Sequence, residues 1–427
     1  MEIIYHFFIV NEIFIRYNLK IIKWILGEDK MKKIRIEKQI VFIFLLFTAF
    51  FTLFRSSMSG IFSLFYANNG IPDSSISSIK SFQSIGILIG LLPSGYLSDK
   101  VGRLKVLNLS ALIISCSFIL LILFRNIISF SIAEFLYGTG LAFNSGTLLS
   151  YITELQEQNK IQPDAKLMGR QVIVLNLATL IGGNIGTYLF GITNTAPIWF
   201  ALIGLGVYPI FVISVIKCFS LADNTAEHEN TETIMQKCQT FFNLFSKRNF
   251  WILLFLNAGY DCGTQFILIY WSIIYVDKLH FNLSLVYTLF MCSLLLGSAI
   301  FDRIVGFLDT KLLVILNTCL MISLFILSSC ISNRYILLAL FLLIELLMGM
   351  MSGQISATSN TSIYGEKNKS MMLSAVSFVA EILVSISLFV SDLIIKSAGN
   401  ITVMYIVSAF YFAIILFTVP LIRKKEY

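Results

Sequence analysis

Five ionisable side chains fall inside long apolar stretches of this sequence, where a membrane-spanning helix would bury them: Arg55, Glu134, Asp261, Glu345 and Glu381. A charge at the centre of such a helix costs on the order of 2.5–3.5 kcal/mol on insertion scales, so it is kept where it pairs internally or faces water. A carboxyl group in that setting can take up and release a proton, and a nearby arginine changes its proton affinity. The chemistry that these residue types indicate is proton transfer within a membrane.

A short polar interruption at residues 91–105 separates two of the apolar stretches. It contains four residues in the spacing G-x-x-x-D-x-x-G-R, namely Gly95, Asp99, Gly102 and Arg103. We expect Gly95 to let two helix backbones approach closely and Gly102 to allow the turn. The acid and the base place opposite charges at the membrane edge. A generic polar turn would not require four residue types at fixed spacing, so the pattern indicates a motif.

The composition places these residues in a helical membrane protein. Of the 427 residues, 57% are hydrophobic and 13% are charged, and that charged fraction is about half the fraction typical of a soluble domain. The apolar residues fall in runs of about 20, which is the length of a bilayer-spanning helix. No alternating strand pattern occurs, which excludes an outer-membrane barrel. Twelve spans are predicted, at residues 41–66, 76–97, 106–124, 127–149, 171–192, 197–218, 250–276, 283–306, 312–331, 335–357, 371–395 and 400–422.

The loop at residues 91–105 resembles the signature loop between the second and third helices of the major facilitator superfamily of transporters. The resemblance implies an all-α membrane protein with twelve transmembrane helices in two pseudo-symmetric six-helix bundles, the major facilitator fold. It also implies that the first, fourth, seventh and tenth spans line a central cavity. Four of the ionisable residues would then lie near the substrate path: Arg55, Glu134, Asp261 and Glu345.

The same resemblance gives the loop a mechanical role. Glu154, at the end of the fourth span, matches the position of an acidic partner for the loop. An ion pair at the wet membrane edge is worth about 1 kcal/mol or less, which still biases two conformers several-fold. We therefore expect a conformational latch made of Gly95, Asp99, Gly102, Arg103 and Glu154.

An internal repeat supports a division into two halves. At an offset of 211 residues, Gly86 pairs with Gly297, Glu134 with Glu345, and Gly138 with Gly349, as expected for two copies of one ancestral segment. The hydrophilic stretch 219–248 divides the spans into six and six. The predicted organisation is a cytoplasmic N-terminal extension (1–40), an N-terminal six-helix bundle (41–218), a cytoplasmic linker (219–248) and a C-terminal six-helix bundle (249–427).

The distribution of basic residues predicts the orientation in the membrane. Lysine and arginine gather before the first span, after the second and fourth spans and at the end of the chain, whereas the alternate loops hold one each or none. The positive-inside rule places both termini in the cytoplasm of a multi-pass inner (plasma) membrane protein. The net charge of +7 therefore indicates a lipid bilayer partner rather than nucleic acid. Residues 1–30 are predicted either to form an interfacial amphipathic helix or to precede a true start at Met31, with a thirteenth span the least favoured alternative, and we expect them to be dispensable.

Several classes of chemistry find no support in the sequence. The seven cysteines occur singly, without a CxxC pair or clustered histidines, and read as small core residues. No G-x-x-x-x-G-K-[ST] loop occurs, so the chain is not expected to hydrolyse ATP. We predict no enzyme activity, no metal and no cofactor, and we expect a monomer. Lys80 and Asp392 lie close to predicted span ends, where such side chains reach the interface, so they are assigned no role.

Glu134 is the carboxylate that we expect to couple protons, followed by Glu345 and Asp261. Its span is expected to face the cavity, Arg55 would modulate its charge, and the repeat gives it a symmetric counterpart. An alternative is that Arg55 and Glu134 merely neutralise one another and hold the first bundle together.

The stretch from Glu134 to Glu154, with Gly138, Gly140 and Gly146, resembles bacterial drug exporters of the superfamily. It departs from proton-coupled antiporters in lacking a buried arginine in the fourth span and a Gly-Pro pair in the fifth. The leading hypothesis is a secondary transporter that exports a small amphipathic molecule, a drug or a metabolite, in exchange for protons. Proton-coupled uptake of a small polar nutrient is an alternative. A non-transporting membrane receptor or immunity protein is an alternative of another class.

Overall fold

The computed structural model describes residues 28–159, 165–219, 243–304, 310–362 and 369–421, and within them the regular secondary structure is all helical, joined by short turns. The linker 219–248 and the extension 1–40 lie mostly outside these ranges, as does the second copy of the signature loop around residues 306–309. The α-helices in the described part are α1 (Glu28–Arg55), α2 (Phe62–Asn68), α3 (Asp73–Val101), α4 (Arg103–Leu123), α5 (Ile127–Gln158), α6 (Ala165–Ile192), α7 (Ala196–Phe219), α8 (Arg248–Ser272), α9 (Leu283–Ile304), α10 (Thr310–Cys330), α11 (Arg334–Ser362), α12 (Lys369–Ala398) and α13 (Val403–Ile415).

Eleven helical segments of the described chain are long and apolar enough to cross a membrane. They correspond to eleven of the twelve predicted spans. The predicted second span is α3, whose 29 residues would reach across a bilayer at 1.5 Å per residue. Its serines and charged residues make it more polar than the others, but it packs along α5 and α12, both of which are among the eleven. The all-α prediction and the membrane-spanning character are confirmed.

The first span is not the continuous helix that the sequence predicts. After α1 ends at Arg55, the chain forms a 3₁₀ turn over Ser56–Met58 and then begins α2 at Phe62. Serine hydroxyls bond the backbone at the break: Ser57 Oγ donates to the carbonyl oxygens of Phe54 (2.9 Å) and Pro197 (3.1 Å). A helix can be interrupted at membrane depth where side chains and neighbouring segments satisfy the freed backbone groups.

The repeat seen in the sequence is also a repeat of contacts. In the first half, Gly86 of α3 lies against the carbonyl of Phe135 in α5, and Gly138 lies against the carbonyl of Gln83. The second half repeats both contacts between α9 and α11, as Gly297 against Leu346 and Gly349 against Leu294. A Cβ at any of these glycines would collide with the facing backbone, so close helix packing requires glycine there.

The signature loop behaves as predicted at one glycine and not at the other. Gly102 joins α3 to α4 with φ 105° and ψ 138°, a conformation that favours glycine. Gly95 is exposed, and a Cβ there would meet no atom within 4 Å. The expectation that Gly95 permits a close helix approach is therefore wrong, because Gly86 and Gly138 make that approach two to three turns away.

Candidate functional site

A cavity of about 210 Å³ lies between the two halves of the molecule. Its walls come from the broken first span and α3 on one side, and from α8 on the other. Broken helices line the substrate sites of many transporters, since irregular backbone at membrane depth is tolerated beside a cavity. The lining residues are Ser59, Gly60, Phe62, Ser63, Lys80 and Gln83 from the first half, and Gln265, Leu268, Ile269, Trp271 and Ser272 from the second.

Glu134 is buried beside this cavity in a tight polar cluster. Lys80 Nζ lies 2.6 Å from Glu134 Oε1, and the Tyr66 hydroxyl donates to the same oxygen. The glutamate side chain is 1% exposed and that of the lysine 13% exposed. Glu134 Oε2 has no hydrogen-bond partner among the described residues. The cluster therefore holds a buried acid against a base that also lines the cavity wall.

Lys80 was wrongly expected to reach the membrane interface. It lies two turns inside α3, because the helix begins at Asp73 and continues to Val101. Its ammonium group also donates to Gln83 Oε1 at 3.3 Å and lies 3.8 Å from the centre of the Phe62 ring. A lysine with these contacts is a cavity residue rather than an interfacial anchor.

Arg55 is not the partner of Glu134 in this structure. Its Nη1 donates to the Tyr137 hydroxyl at 3.1 Å, while Lys80 provides the ion pair of Glu134. Arg55 is the last residue of α1, directly before the break in the first span. The proposed Arg55–Glu134 neutralisation is therefore incorrect, although the tyrosine ties Arg55 to the helix that carries the acid.

Glu345, the repeat counterpart of Glu134, has different surroundings. It is fully buried in α11, and neither carboxyl oxygen has a hydrogen-bond partner among the described residues. The position equivalent to Lys80 in the second half is Met291, also buried, so the cation of the first half has no equivalent there.

Asp261 of α8 and Glu381 of α12 form a second acidic grouping. The two carboxyl groups are near enough to interact electrostatically, and both side chains are partly exposed. Neither is among the residues that line the cavity beside Lys80. The structure thus does not bring all five predicted ionisable residues to one place.

Polar contacts hold the two halves together at the end of the molecule where α3 begins, which we call the Asp73 end. Pro72 precedes the helix, and Asp73 places a negative charge at its N-terminus, where the helix dipole favours it. Lys278 Nζ lies 3.4 Å from Asp73 Oδ2, and the Tyr270 hydroxyl donates to the Asp73 carbonyl oxygen at 2.9 Å. Both contacts join α3 to the end of the seventh span.

Asp392 belongs to the same end and was also wrongly assigned no role. Its side chain is buried, and its Oδ2 accepts hydrogen bonds from Ser78 Oγ and Lys396 Nζ, each at 2.8 Å. The Ser78 bond crosses from α3 to α12, and so between the halves. The buried acid is therefore part of the polar contact between α3 and α12, here called the α3–α12 seam, rather than a free interfacial group.

A second seam joins α6 to α9. Ser284 Oγ donates to Thr187 Oγ1 at 3.0 Å, and Thr288 Oγ1 donates to Asn184 Oδ1 at 2.7 Å. These residues lie near the end of α6 and the start of α9, at the same Asp73 end. Together these contacts hold the two halves against one another at the Asp73 end in the conformation described.

At the opposite end, two residues of the predicted latch form an ion pair. Arg103 Nε at the start of α4 lies 2.8 Å from Glu154 Oε2 near the end of α5, and both side chains are largely buried. This ion pair lies within the first half. The Asp99 side chain is outside the described part of the structure, so its place in the latch stays a prediction.

Sequence reasoning missed Lys80 and Tyr66, because the register between α3 and α5 that pairs the lysine with Glu134 is visible only in the structure. Gly138 packs against Gln83, and Lys80 precedes Gln83 by one turn, as Glu134 precedes Gly138 by one turn. The glycine contact therefore sets the two charged residues at the same level of neighbouring helices. The sequence carries no signal for Tyr66, because the break in the first span changes its orientation.

Two repeated halves that enclose a cavity, with a buried ion pair on its wall, define a helical membrane transporter. Residues 44–387 match the Major Facilitator Superfamily, and the chain belongs to this family. Membership in this transporter family, together with the fold, confirms that the protein is not an enzyme.

Similar proteins include carriers of sugars and nucleosides. The arabinose-proton symporter of Bacillus subtilis (strain 168) is 38% identical over 79 residues, which are 18% of this chain and only 16% of that protein. The crystal structure of a mutant form of the nucleoside transporter NupG covers 90% of this chain and 100% of its own, with a TM-score of 0.71 and 10% identity. The match to a second NupG structure covers 89% of this chain and 98% of the NupG chain, with a TM-score of 0.67 and 11% identity. At these identities the NupG likeness shows the fold alone.

Proposed function

We propose that this protein is a proton-coupled transporter of a small polar solute, with Glu134 as the proton-binding group. The observation that carries the proposal is the Lys80–Glu134 ion pair, which joins a buried acid to the wall of the cavity between the halves. Removing one partner of a buried pair costs about 3–5 kcal/mol because it leaves an uncompensated charge. A solute that draws Lys80 away therefore favours proton uptake by Glu134, which links the two events.

The character of the cavity favours a polar solute over an amphipathic drug. Hydroxyl and amide side chains supply hydrogen bonds on both sides, from Ser59, Ser63, Gln83, Gln265 and Ser272. Phe62 and Trp271 add aromatic side chains to the wall, and the Phe62 ring lies against the Lys80 ammonium group. A few placed polar groups among aromatic walls are the usual makeup of a small-molecule site. The short match to an arabinose-proton symporter agrees with uptake driven by protons.

Export of an amphipathic compound in exchange for protons is the second candidate. It is favoured by the stretch from Glu134 to Glu154, which resembles drug exporters of the superfamily. Both candidates use the same acid, and they differ in the solute and in the direction of net flow.

Orientation and the latch are part of the proposal. We place the protein in the inner (plasma) membrane with both termini in the cytoplasm, so that the Asp73 end faces outward. The conformation described then has its outer end closed by the α3–α12 and α6–α9 seams. The Arg103–Glu154 pair, with Asp99, would stabilise one of the two end states from the cytoplasmic edge.

Transport by the purified protein in proteoliposomes tests the proposal. With an acidic exterior, labelled arabinose, uridine and gluconate are offered at equal concentration, and at least one is expected to accumulate above equilibrium. Glu134→Gln should lose accumulation but keep exchange of solute for solute, because shape is retained and titration is not. Glu37→Gln, at an exposed position of α1, is the matched control. Normal accumulation by Glu134→Gln would refute the role of Glu134, and outward pumping of a lipophilic dye instead would favour the export candidate.

A further inference from the structure

Lys80 occupies an unusual double position. Its ammonium group is 2.6 Å from Glu134 Oε1 on one side and lines the cavity on the other. It is also the one charged residue among the described residues that line this cavity. A solute in the cavity therefore meets a single positive charge that is already shared with a buried acid.

We propose that the transported solute is a small organic anion with a single negative charge, such as a hydroxylated monocarboxylate. The inference rests on the proposed function and deepens it by naming the solute class. The anionic group of the solute takes the place of Glu134 beside the Lys80 ammonium, while its hydroxyl groups bond the serine and glutamine side chains of the wall. A carboxylate forms a charge-assisted hydrogen bond with lysine that a neutral hydroxyl group does not match.

The exchange balances in charge and in atoms. Without solute, Lys80 is cationic and Glu134 anionic, and the pair is neutral. When the solute anion pairs with Lys80, one proton from water binds Glu134, and the loaded site is again neutral. Oε2 is the oxygen that accepts the proton, since it has no partner among the described residues while Oε1 accepts from Tyr66 and Lys80.

Other charged or titratable groups around Glu134 do not replace Lys80 in this exchange. The element α2 brings Tyr66, and α5 itself brings Tyr137, which accepts the hydrogen bond from Arg55 of α1. The remaining packed helix, α4, has as its titratable residues Arg103, Lys105 and Cys116, of which Arg103 pairs with Glu154 and the other two are exposed. Lys80 is thus the cation whose departure from Glu134 the solute controls.

The second half provides an internal comparison. Met291 stands 211 residues after Lys80, at the equivalent position of the repeat, just as Glu345 stands 211 residues after Glu134. At this position the second half has the acid without the cation, so its described residues do not repeat the anion site. Lys80→Met therefore makes the first half resemble the second at this position.

Neutral loading has an electrical consequence. A monoanion carried with one proton moves no net charge, so its accumulation depends on the pH gradient and is independent of the membrane potential. A neutral sugar carried with one proton moves one positive charge and would accumulate about fifty-fold at 100 mV.

Proton uptake on binding tests the proposal with the full chain in detergent. D-gluconate is the anionic probe and D-glucitol its uncharged counterpart, added in a weakly buffered solution with a pH indicator. We expect gluconate to bind with uptake of close to one proton per protein, and glucitol to bind at least tenfold more weakly. Lys80→Met should weaken gluconate binding at least tenfold. The double variant Lys80→Met with Glu134→Gln should weaken it equally. Because the double variant leaves no unpaired buried acid, its loss of binding cannot be attributed to impaired folding. Lys38→Met, at an exposed position, should bind as the unchanged protein does.

Flux measurements separate this inference from the proposed function. In proteoliposomes with a potassium-clamped potential, gluconate accumulation driven by a pH gradient should change less than 1.5-fold between 0 and 100 mV. If the membrane potential drives accumulation of arabinose or uridine and gluconate is not transported, the anion inference is overturned, while proton-coupled transport of a polar solute is supported. Gluconate binding without proton uptake, or unaffected by Lys80→Met, would also overturn it. Proton-independent movement of every probe would refute the proposed function itself.

Discussion

Glu345 stands 211 residues after Glu134 at the same position of the structural repeat, yet the two acids have opposite surroundings. Glu134 Oε1 lies 2.6 Å from Lys80 Nζ, whereas both oxygens of the buried Glu345 have no hydrogen-bond partner among the described residues. The glycines that pack their helices are the same in both halves, so the difference comes from the side chains around each acid: Lys80 and Tyr66 contact Glu134, whereas Met291 stands at the position of Lys80 in the second half. Among the described residues, the repeat has kept its glycine packing, whereas the ion pair of Glu134 is not repeated at Glu345.

Removing the two acids should therefore change stability in opposite directions. Glu345→Leu replaces a buried polar group without partners by an apolar one, which should stabilise the protein by about 1–3 kcal/mol. Glu134→Leu leaves the Lys80 ammonium without its carboxylate and should destabilise it by about 3–5 kcal/mol. Apparent melting temperatures in detergent measure both. A lower melting temperature for Glu345→Leu would show that this acid has a stabilising partner.

The glycine contacts predict a matched series of alanine variants. Gly138→Ala and Gly349→Ala each drive a Cβ into the carbonyl of the neighbouring helix, at Gln83 and Leu294 respectively. We expect each to lower stability by about 2 kcal/mol or more, as overpacking does when backbone must shift. Gly95→Ala meets no atom within 4 Å and should leave the melting temperature unchanged. Equal effects at all three positions would contradict the packing described.

Much of the fold follows from the sequence because apolar length and repeat spacing are local patterns. The Gly86, Gly138 and Glu134 series with its copies predicted two repeated halves, and the structure shows that these glycines pack α3 against α5 and α9 against α11. The pairing of charges did not follow, because it depends on side-chain reach between helices. The position of Lys80 near a predicted span end favours an interfacial role, and the sequence predicts Arg55 as the cation beside Glu134, whereas the structure places Lys80 there. The break after Arg55 redirects that residue to Tyr137, and no periodic pattern marks such a break.

The Arg103–Glu154 pair should act on conformation more than on folding. Its Nε–Oε2 distance is 2.8 Å, and both side chains are largely shielded from solvent. Arg103→Glu places a second negative charge next to Glu154 and should slow transport several-fold. Adding Glu154→Arg exchanges the two charges and should restore most of the rate. Initial rates in proteoliposomes, normalised to the amount of inserted protein, give the comparison. A double variant that is as slow as the single one would show that the pair does not act through its mutual charge.

Closure of the Asp73 end can be locked chemically. Ser284 Oγ lies 3.0 Å from Thr187 Oγ1, across the seam between α6 and α9. Both oxygens are attached to Cβ, so cysteines at these positions would bring two sulfur atoms close to bonding distance. Oxidation of Thr187→Cys with Ser284→Cys should stop transport, because the cavity must open at this end once per cycle, and a reducing agent should restore it. Each single cysteine variant, oxidised in the same way, controls for the protein's own cysteines. Continued transport by a double variant whose disulfide is confirmed by mass spectrometry would show that this seam does not open during the cycle.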